Sequence, residues 1–383
     1  MSVSWSRVRL DECCEIVSGA TPSTTVDSFW GGEVCWATPK DLSELEGSYI
    51  SDTPRKLTQA GLENCSAAIL PPGSVLFSSR APIGHVAVNT VPMATNQGFK
   101  SFVPKKVVAA KFLYWWLKAN RGYLESLGNG ATFKEVSKAI VSRIEIPLPP
   151  LSEQRRIADV LDRAEVLRVK RRAALAELDE LTQSIFLDMF GDPVVNPKGW
   201  INKSLLELGK VVTGGTPSSD LPNMFGGPVP FVTPGDLESD APAKRSLTLA
   251  GAGESRVVRG GSTLVCCIGA TIGKMSIAGE RCAFNQQINA IEWSESVDDI
   301  YGYSVLRLFK PTIKAWGAST TLPILKKSSF EKIEVPVPPL TIQREFAQKW
   351  RAVEKLRGCG LSALAQSDEL FLSLQHRAFR GEL

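Results

Sequence analysis

Apolar residues fall along this chain in two alternating regimes. Short strand-like runs such as Val75–Phe77, His85–Val88, Thr263–Val265 and Lys274–Ile277 sit among Gly- and Pro-rich turns. Helical spacing appears around Ala110–Lys118 and Ile300–Lys310. Then, after Ser152-Glu153-Gln154, apolar positions run on a helical period with no Gly or Pro until Gly191. Written as heptads, that stretch has a seam of Ile157, Val160, Ala164, Leu167, Arg171, Ala174, Leu178, Leu181, Ile185 and Asp188, the alternation of three and four that defines a coiled coil. A helix of roughly 38 residues is about 57 Å long, more than one small domain needs, so it reads as a spacer. A second such stretch from Thr341 keeps Phe346, Val353, Leu356, Ala363, Leu370 and Leu374 in register, with Gly358 and Gly360 predicting a bend or weak point.

The two regimes recur because the chain is duplicated. Val17-Ser-Gly-Ala-Thr-Pro22 returns as Val212-Thr-Gly-Gly-Thr-Pro217, Trp30-Gly-Gly32 as Phe225-Gly-Gly227, and Trp36-Ala-Thr-Pro-Lys-Asp-Leu42 as Phe231-Val-Thr-Pro-Gly-Asp-Leu237, each 195 positions on (212 minus 17). Ile83-Gly84, Asn96-Gln97 and Ile144-Glu-Ile-Pro-Leu-Pro-Pro-Leu151 return at Ile272-Gly273, Asn285-Gln286 and Ile333-Glu-Val-Pro-Val-Pro-Pro-Leu340, now 189 on (272 minus 83). Six matches in one order mark a true repeat, with about six residues lost from a loop of the second copy. The Pro-rich words end a short strand and force an extended hinge.

The pattern predicts an α+β class: two tandem α+β domains related by a pseudo-two-fold, separated by an antiparallel pair of long coiled-coil helices. Expected bounds are 1–150 and 191–339 for the domains, and 151–190 and 340–383 for the helices.

Composition excludes more than it adds. In 383 residues, 43% hydrophobic and 22% charged residues are ordinary globular values. The formal net charge of +4 permits nucleic-acid binding without demanding it. No apolar run reaches the ~18 residues of a membrane span, and Met1–Arg7 lacks an export signal, so a cytoplasmic chain is expected. None of the eight cysteines stands in a Cys-x-x-Cys spacing, and His85 and His376 lie in different halves, which disfavours zinc and Ser-His-Asp chemistry. Gly269-Ala-Thr-Ile-Gly273-Lys274-Met275 is one residue short of a phosphate loop and has Met where the magnesium-binding hydroxyl belongs; Gly251–Arg256 lacks the third glycine of a dinucleotide fingerprint. Neither an Asp/Glu-x-Lys element nor an Asn/Asp-Pro-Pro-Tyr tetrapeptide occurs. The reading is a binding protein without catalytic, metal or cofactor residues of its own.

The hinge-helix word Pro147-Leu-Pro-Pro-Leu-Ser-Glu-Gln-Arg-Arg-Ile157, with its looser copy at Thr341-Ile342-Gln343-Arg344-Glu345-Phe346 and the tail Phe379-Arg-Gly-Glu-Leu383, resembles the specificity subunits of type I restriction-modification systems. The resemblance spans nearly the whole chain. It implies a non-catalytic subunit whose two domains each read half of an asymmetric bipartite site on double-stranded DNA. It also implies that the paired helices dock two methyltransferase subunits, which carry S-adenosylmethionine, and that restriction subunits join the complex.

Polar loop residues near the repeat words are the candidates for DNA contact, because Asn and Gln pair with adenine and Arg with guanine. In the first copy these are Thr38, Lys40, Arg80, Asn96, Gln97, Lys100, Asn129, Thr132 and Lys134. In the second they are Thr233, Asp236, Thr271, Lys274, Gln286, Gln287, Thr320, Lys326 and Lys327. Residues shared by both copies, such as Thr38/Thr233, Asp41/Asp236 and Asn96/Asn285, read equally well as structural turns. Trp36, Trp115 and Trp116 read as core, and Arg168, Lys170, Arg171 and Arg172 as a solvated helix face in which Arg171 pairs across the coil. Ile157, Val160, Leu167, Leu178, Leu181, Ile185, Phe346, Val353, Leu356, Leu370 and Leu374 are the expected coil contacts. A tandem-repeat scaffold binding only proteins remains the alternative.

Overall fold

The computed structural model describes residues 5–80, 82–130, 134–218, 220–317 and 323–383. The chain divides into two compact units, Met1–Arg172 with Ser362–Leu383, and Ala173–Leu361. Each therefore contains one globular body, one half of the helix Leu151–Phe190 and one half of the helix Leu340–Ala378.

Both bodies are built from the same two sheets. In the first unit the larger sheet runs in the order Cys14–Ser18, Lys100–Pro104, Val75–Phe77, Val86–Asn89, Tyr49–Ile50, and the smaller Lys56–Leu57, Trp30–Ala37, Met93–Thr95. The second unit keeps this order, without a counterpart of Tyr49–Ile50, as Gly209–Thr213, Ile288–Trp293, Thr263–Cys266, Met275–Ile277, and, with Val257–Val258 added at the edge, as Arg245–Leu247, Phe225–Val232, Cys282–Phe284, Val257–Val258. The pattern-predicted strands and both helices, Ala110–Ala119 and Asp299–Leu308, are present. Trp36, Trp115 and Trp116 are buried.

The repeat words have structural causes. Trp30-Gly-Gly32 and Phe225-Gly-Gly227 each mark a β-bulge: the register shifts between Trp30 and Val34, and between Phe225 and Val229. Gly31 and Gly226 take φ of +79° and +85°, a left-handed conformation open to glycine. A Cβ on Gly32 or Gly227 would lie 2.3 Å from the Leu57 carbonyl oxygen or 2.4 Å from Thr248 Cα. Arg55 then covers the bulge aromatic in the first unit, 3.6 Å from the Trp30 ring centre, and Arg245 does so 4.5 Å from Phe225 in the second.

The Pro-rich words form the strands Glu145–Pro147 and Glu334–Pro336, which pair antiparallel with Arg7–Arg9 and Asn202–Ser204. Each long helix follows at once, and its buried glutamine fixes the hinge. Gln154 Oε1 accepts from the Ala109 amide at 2.8 Å while its Nε2 donates to the carbonyls of Val107 and Pro149 at 3.0 and 2.8 Å. Gln343 accepts from Asp298 N at 2.9 Å and donates to Ser296 and Pro338 at 3.3 and 2.7 Å. Burial of three backbone groups with one side chain leaves no polar atom of that amide without a partner.

Within each unit the halves of the long helices run antiparallel. In the first, Arg168 Nε donates to Asp368 Oδ1 at 2.6 Å and Arg171 donates to Ala363 O and Ser367 Oγ, so Arg171 does pair across the coil. In the second, Phe186 packs edge-on against Phe346 at 5.4 Å. The helix Leu340–Ala378 is continuous through Gly358 and Gly360. Gly360 permits close approach: a Cβ there would lie 2.8 Å from Leu175 Cδ2.

The seam differs from the heptad reading by one residue at every second position. Ile157, Ala164, Arg171, Leu178 and Ile185 lie on the inward stripe, but the intervening places belong to Leu161, Arg168, Leu175, Thr182 and Met189. Leu167 and Leu181 are 48% and 45% exposed, Leu356 and Leu370 are 60% and 59% exposed, and Val160 is half-buried. Phe346 and Val353 are buried, and Leu374 half-buried. Leu167 and Leu356 sit beside arginines that occupy the seam because they are paired, Arg168 with Glu165 and Asp368 and Arg357 with Glu354 and Asp240, whereas Leu181 and Leu370 yield to Thr182 and Phe371.

Candidate nucleic-acid interface

In the first unit, four loops from distant parts of the sequence meet at the end of the sheets. The Asn96 amide bonds Ala37 O at 3.0 Å, the Ser79 amide bonds Gly98 O at 2.8 Å, and Val136 N bonds Ser79 O at 2.9 Å. Asn129 and Glu135 exchange both backbone hydrogen bonds at 3.0 Å. Thr38, Lys40, Arg80, Asn96, Gln97, Lys100, Asn129 and Lys134 are thereby gathered on one rim. Thr132 and Thr320 lie outside the described residues.

The second unit gathers its rim the same way. Asn285 N bonds Val232 O at 3.1 Å, Cys267 N bonds Gln287 O at 2.8 Å, Leu325 N bonds Cys267 O at 2.8 Å and Gly269 N bonds Pro323 O at 2.8 Å. Thr233, Asp236, Thr271, Lys274, Gln286, Gln287, Lys326 and Lys327 come together on the loops so joined.

Side-chain partners divide these residues into two groups. Those shared by the copies hold the loops. Thr38 donates from its amide and hydroxyl to Asp41 Oδ2 at 2.7 and 2.8 Å, and Thr233 does so to Asp236 Oδ2 at 2.8 and 2.6 Å. Burial pushes the Asp236 carboxyl up, but the Thr233 hydroxyl and amide and the Lys244 amide pull it down further, and it titrates below the usual carboxylate range. Asn96 Oδ1 accepts from Gly98 N at 2.9 Å and Asn285 Oδ1 from Gln287 N at 3.2 Å, which are Asx turns. Gln97 accepts from Thr21, and Gln286 from Thr216 at 2.7 Å.

Residues that differ between the copies give each rim its own chemistry. In the first unit Glu135 stands between two cations: Lys100 Nζ, almost fully buried, at 3.2 Å, and Arg80 Nη1 at 4.0 Å. Lys100 is therefore pinned, and Arg80, 41% exposed at its side chain, is the cation that faces outward. The corresponding positions of the second unit are Gly269, Asn289 and Ile324, where Asn289 accepts from Thr213 Oγ1 at 2.7 Å and Ile324 is exposed. Lys326 and Lys327 are exposed, Lys327 within 3.5 Å of Glu331, while Lys40 is paired with Glu44 at 3.6 Å in full solvent. Exposed pairs of this kind are weak and exchange readily for another anion. Glu135 carries no repeat word and the sequence reading missed it.

Of the basic helix cluster, Arg168, Arg171 and Arg172 are held by Asp368, Ser367 and Ala363 within the first unit, and Lys170 is exposed. Among the described residues no group of three or more His, Cys, Asp or Glu is placed to hold a metal ion. No described helix is long and apolar enough to cross a membrane.

Comparison with known proteins gives one consistent result. The family model described as "Type I restriction modification DNA specificity domain" matches residues 2–175 and again 197–357. The MjaIX specificity subunit of Methanocaldococcus jannaschii is 35% identical over 227 residues, 55% of this chain and 52% of that one. The EcoR124I/EcoR124II specificity subunit of Escherichia coli is 24% identical over 47% of this chain and 45% of its own length. The chain thus spans about half the length of these curated relatives, whereas the Escherichia coli EcoDI subunit aligns at 22% identity over 100% of this chain and 89% of its own. Two solved chains share the fold. One, from a study of complex assembly and conformational transition of the type I R-M system, is 21% identical, with TM-score 0.63 over 99% of this chain and 98% of that one. The other, the type I restriction-modification S subunit from M. genitalium, is 14% identical, with TM-score 0.60 over 98% and 96%. With both of its repeats matched by the family model, the chain belongs to the type I restriction-modification DNA specificity family.

Proposed function

We propose that the chain is the non-catalytic specificity subunit of a type I restriction-modification complex, each rim reading one half of an asymmetric bipartite site on double-stranded DNA. One observation carries this: the two bodies share the residues that hold the rim loops and differ in those that face outward, Arg80 and Glu135 against Gly269 and Ile324, and in the buried residue beneath them, Lys100 against Asn289. A common frame with unlike contact residues is what two readers of different sequences require.

In this reading the long helices set the half-site spacing. A 40-residue helix rises about 60 Å, enough to span more than one ~34 Å turn of duplex. The helices also dock two methyltransferase subunits, whose S-adenosylmethionine supplies the methyl group, and restriction subunits join that core. The complex works in the cytoplasm, where its DNA is.

A mobility shift with duplex DNA, alone and with the methyltransferase subunit, across a salt series tests the reading. Binding that weakens linearly in log–log form with salt is expected from phosphate contacts. No duplex binding at any salt would leave a scaffold that binds only proteins.

A further inference from the structure

The repeat offers an internal template for what a site should contain. In the first unit two buried rings, Trp115 and Phe371, meet edge to face at 5.6 Å between the helix Ala110–Ala119 and the long helix. Cations cap both: Lys118 Nζ lies 5.1 Å from the Trp115 ring and the Arg168 guanidinium 4.3 Å from Phe371. In the second unit the corresponding positions, 189 residues away (304 minus 115; 371 minus 182), are Ser304 and Thr182. The cations persist there as Arg307 and Arg357, but both rings are gone.

A cavity of about 500 Å³ lies where they are missing, lined by Thr182 and Ser304, floored by Phe186 and Leu308, and rimmed by Arg307, Lys310 and Lys314. Its size falls within the range of pockets that take an organic group, about 300–1,000 Å³. Charge at the mouth also changed between the copies. In the first unit Arg121 is neutralised by Glu125 at 2.7 Å; in the second these positions are Lys310 and Lys314. Lys310 pairs with Glu238 and Arg307 also lines the adjoining recess of Asp179, Glu238, Asp240 and Glu354, which leaves Lys314 as the cation whose only recess is this opening, itself lined by no carboxylate among the described residues. One turn along the long helix from Gln183, which also lines the cavity, Leu187 is 37% exposed.

We propose that this pocket of the second unit receives an aromatic side chain, flanked by carboxylates, from a partner protein docked along the long helix. The first unit shows the occupant's class, a ring under a cation, supplied there by the chain itself. Lys314, standing where the first unit has Glu125, selects acidic neighbours, and the exposed Leu187 beside the opening suits a protein segment rather than a small solute. In the first unit the equivalent positions are filled by Trp115 and Phe371, so the partner distinguishes the two halves of a duplicated chain. The inference rests on the reading above only in taking protein subunits to dock on the long helices, and DNA binding is its separate control.

The test uses the full chain and a fluorescent peptide, acetyl-Glu-Asp-Trp-Glu-Asp-Gly, followed by anisotropy. Saturable binding is expected, weakened at least about tenfold by Trp→Ala in the peptide, by the ring-restoring pair Thr182→Phe with Ser304→Trp, or by Lys314→Glu, as loss of an interface anchor would be. Duplex mobility shifts should be unchanged in each variant; if the filled chain does not fold, Lys314→Glu alone decides. No saturation at millimolar peptide, equal binding by wild-type and variant chains, or displacement by N-acetyltryptophan as effective as by the peptide would overturn the proposal.

Discussion

The rims of the two units use the same backbone for unlike ends. In the first, Glu135 gathers Lys100 and Arg80 into a charged knot; in the second, the same three places hold Ile324, Asn289 and Gly269, and the nearest side-chain contact is the neutral Thr213–Asn289 bond. Around them the Thr–Asp caps, the Asn turns and the Thr–Gln bonds are retained almost atom for atom. Duplication thus separated two tasks. The retained residues brace loop backbone, directly through the Thr–Asp caps and Asn turns or beside them through the Thr–Gln bonds, while the residues that diverge, Arg80 and Glu135 among them, bond only each other's side chains or face solvent.

Breaking the shared part should hurt both units alike and most severely. Gln154→Leu and Gln343→Leu each strand a buried amide and two carbonyls, and each should cost about 3 kcal/mol in denaturant unfolding of the corresponding unit. A large loss in one unit and none in the other would deny that the hinge is common framework. Breaking an unshared residue should act on one side only. Glu135→Gln frees Lys100 and Arg80 and should change discrimination in one half-site by about tenfold, roughly 1.4 kcal/mol, with the other half untouched, as read by mobility shifts on half-site variants. Thr38→Val and Thr233→Val remove equivalent caps and should each lower stability by about 1 kcal/mol without altering the sequence bound. The smallest effect is a pH dependence. Because the Asp236 carboxyl titrates below its unfolded value, its contribution is present above that unfolded value and is lost as pH falls through the folded one. Thr233→Val should move the Asp236 titration, followed by NMR, upward; an unmoved titration would remove the Thr233 bond as its cause.

Much of this was legible in the sequence because repetition exposes framework. The bulge glycines, the Thr-Pro-x-Asp caps and the Pro-rich hinges each appear twice, and each proves to hold backbone. The long helices were legible from periodicity, but their seam only at alternate positions. Leu167, Leu181, Leu356 and Leu370 outcompete Arg168, Thr182, Arg357 and Phe371 in any count that favours aliphatic residues in heptads, yet paired arginines take the inward places by packing their stems and spending their charge on Glu165, Asp368, Glu354 and Asp240. Glu135 and the Thr182–Ser304 cavity were not legible at all. Glu135 acts through contacts 35 and 55 residues distant in sequence (135 minus 100; 135 minus 80), and a cavity is defined by side chains that are absent.

In the proposed function one frame carries two independent readers. The most direct measurement of this is methylation-sensitive sequencing of DNA from cells carrying this chain and its methyltransferase, compared with cells in which the chain bears Arg80→Ala. An asymmetric two-part motif is expected, in which the substitution relaxes or alters one part and leaves the other part and the spacing as they were. A palindromic motif, or a change that falls on both parts at once, would contradict it.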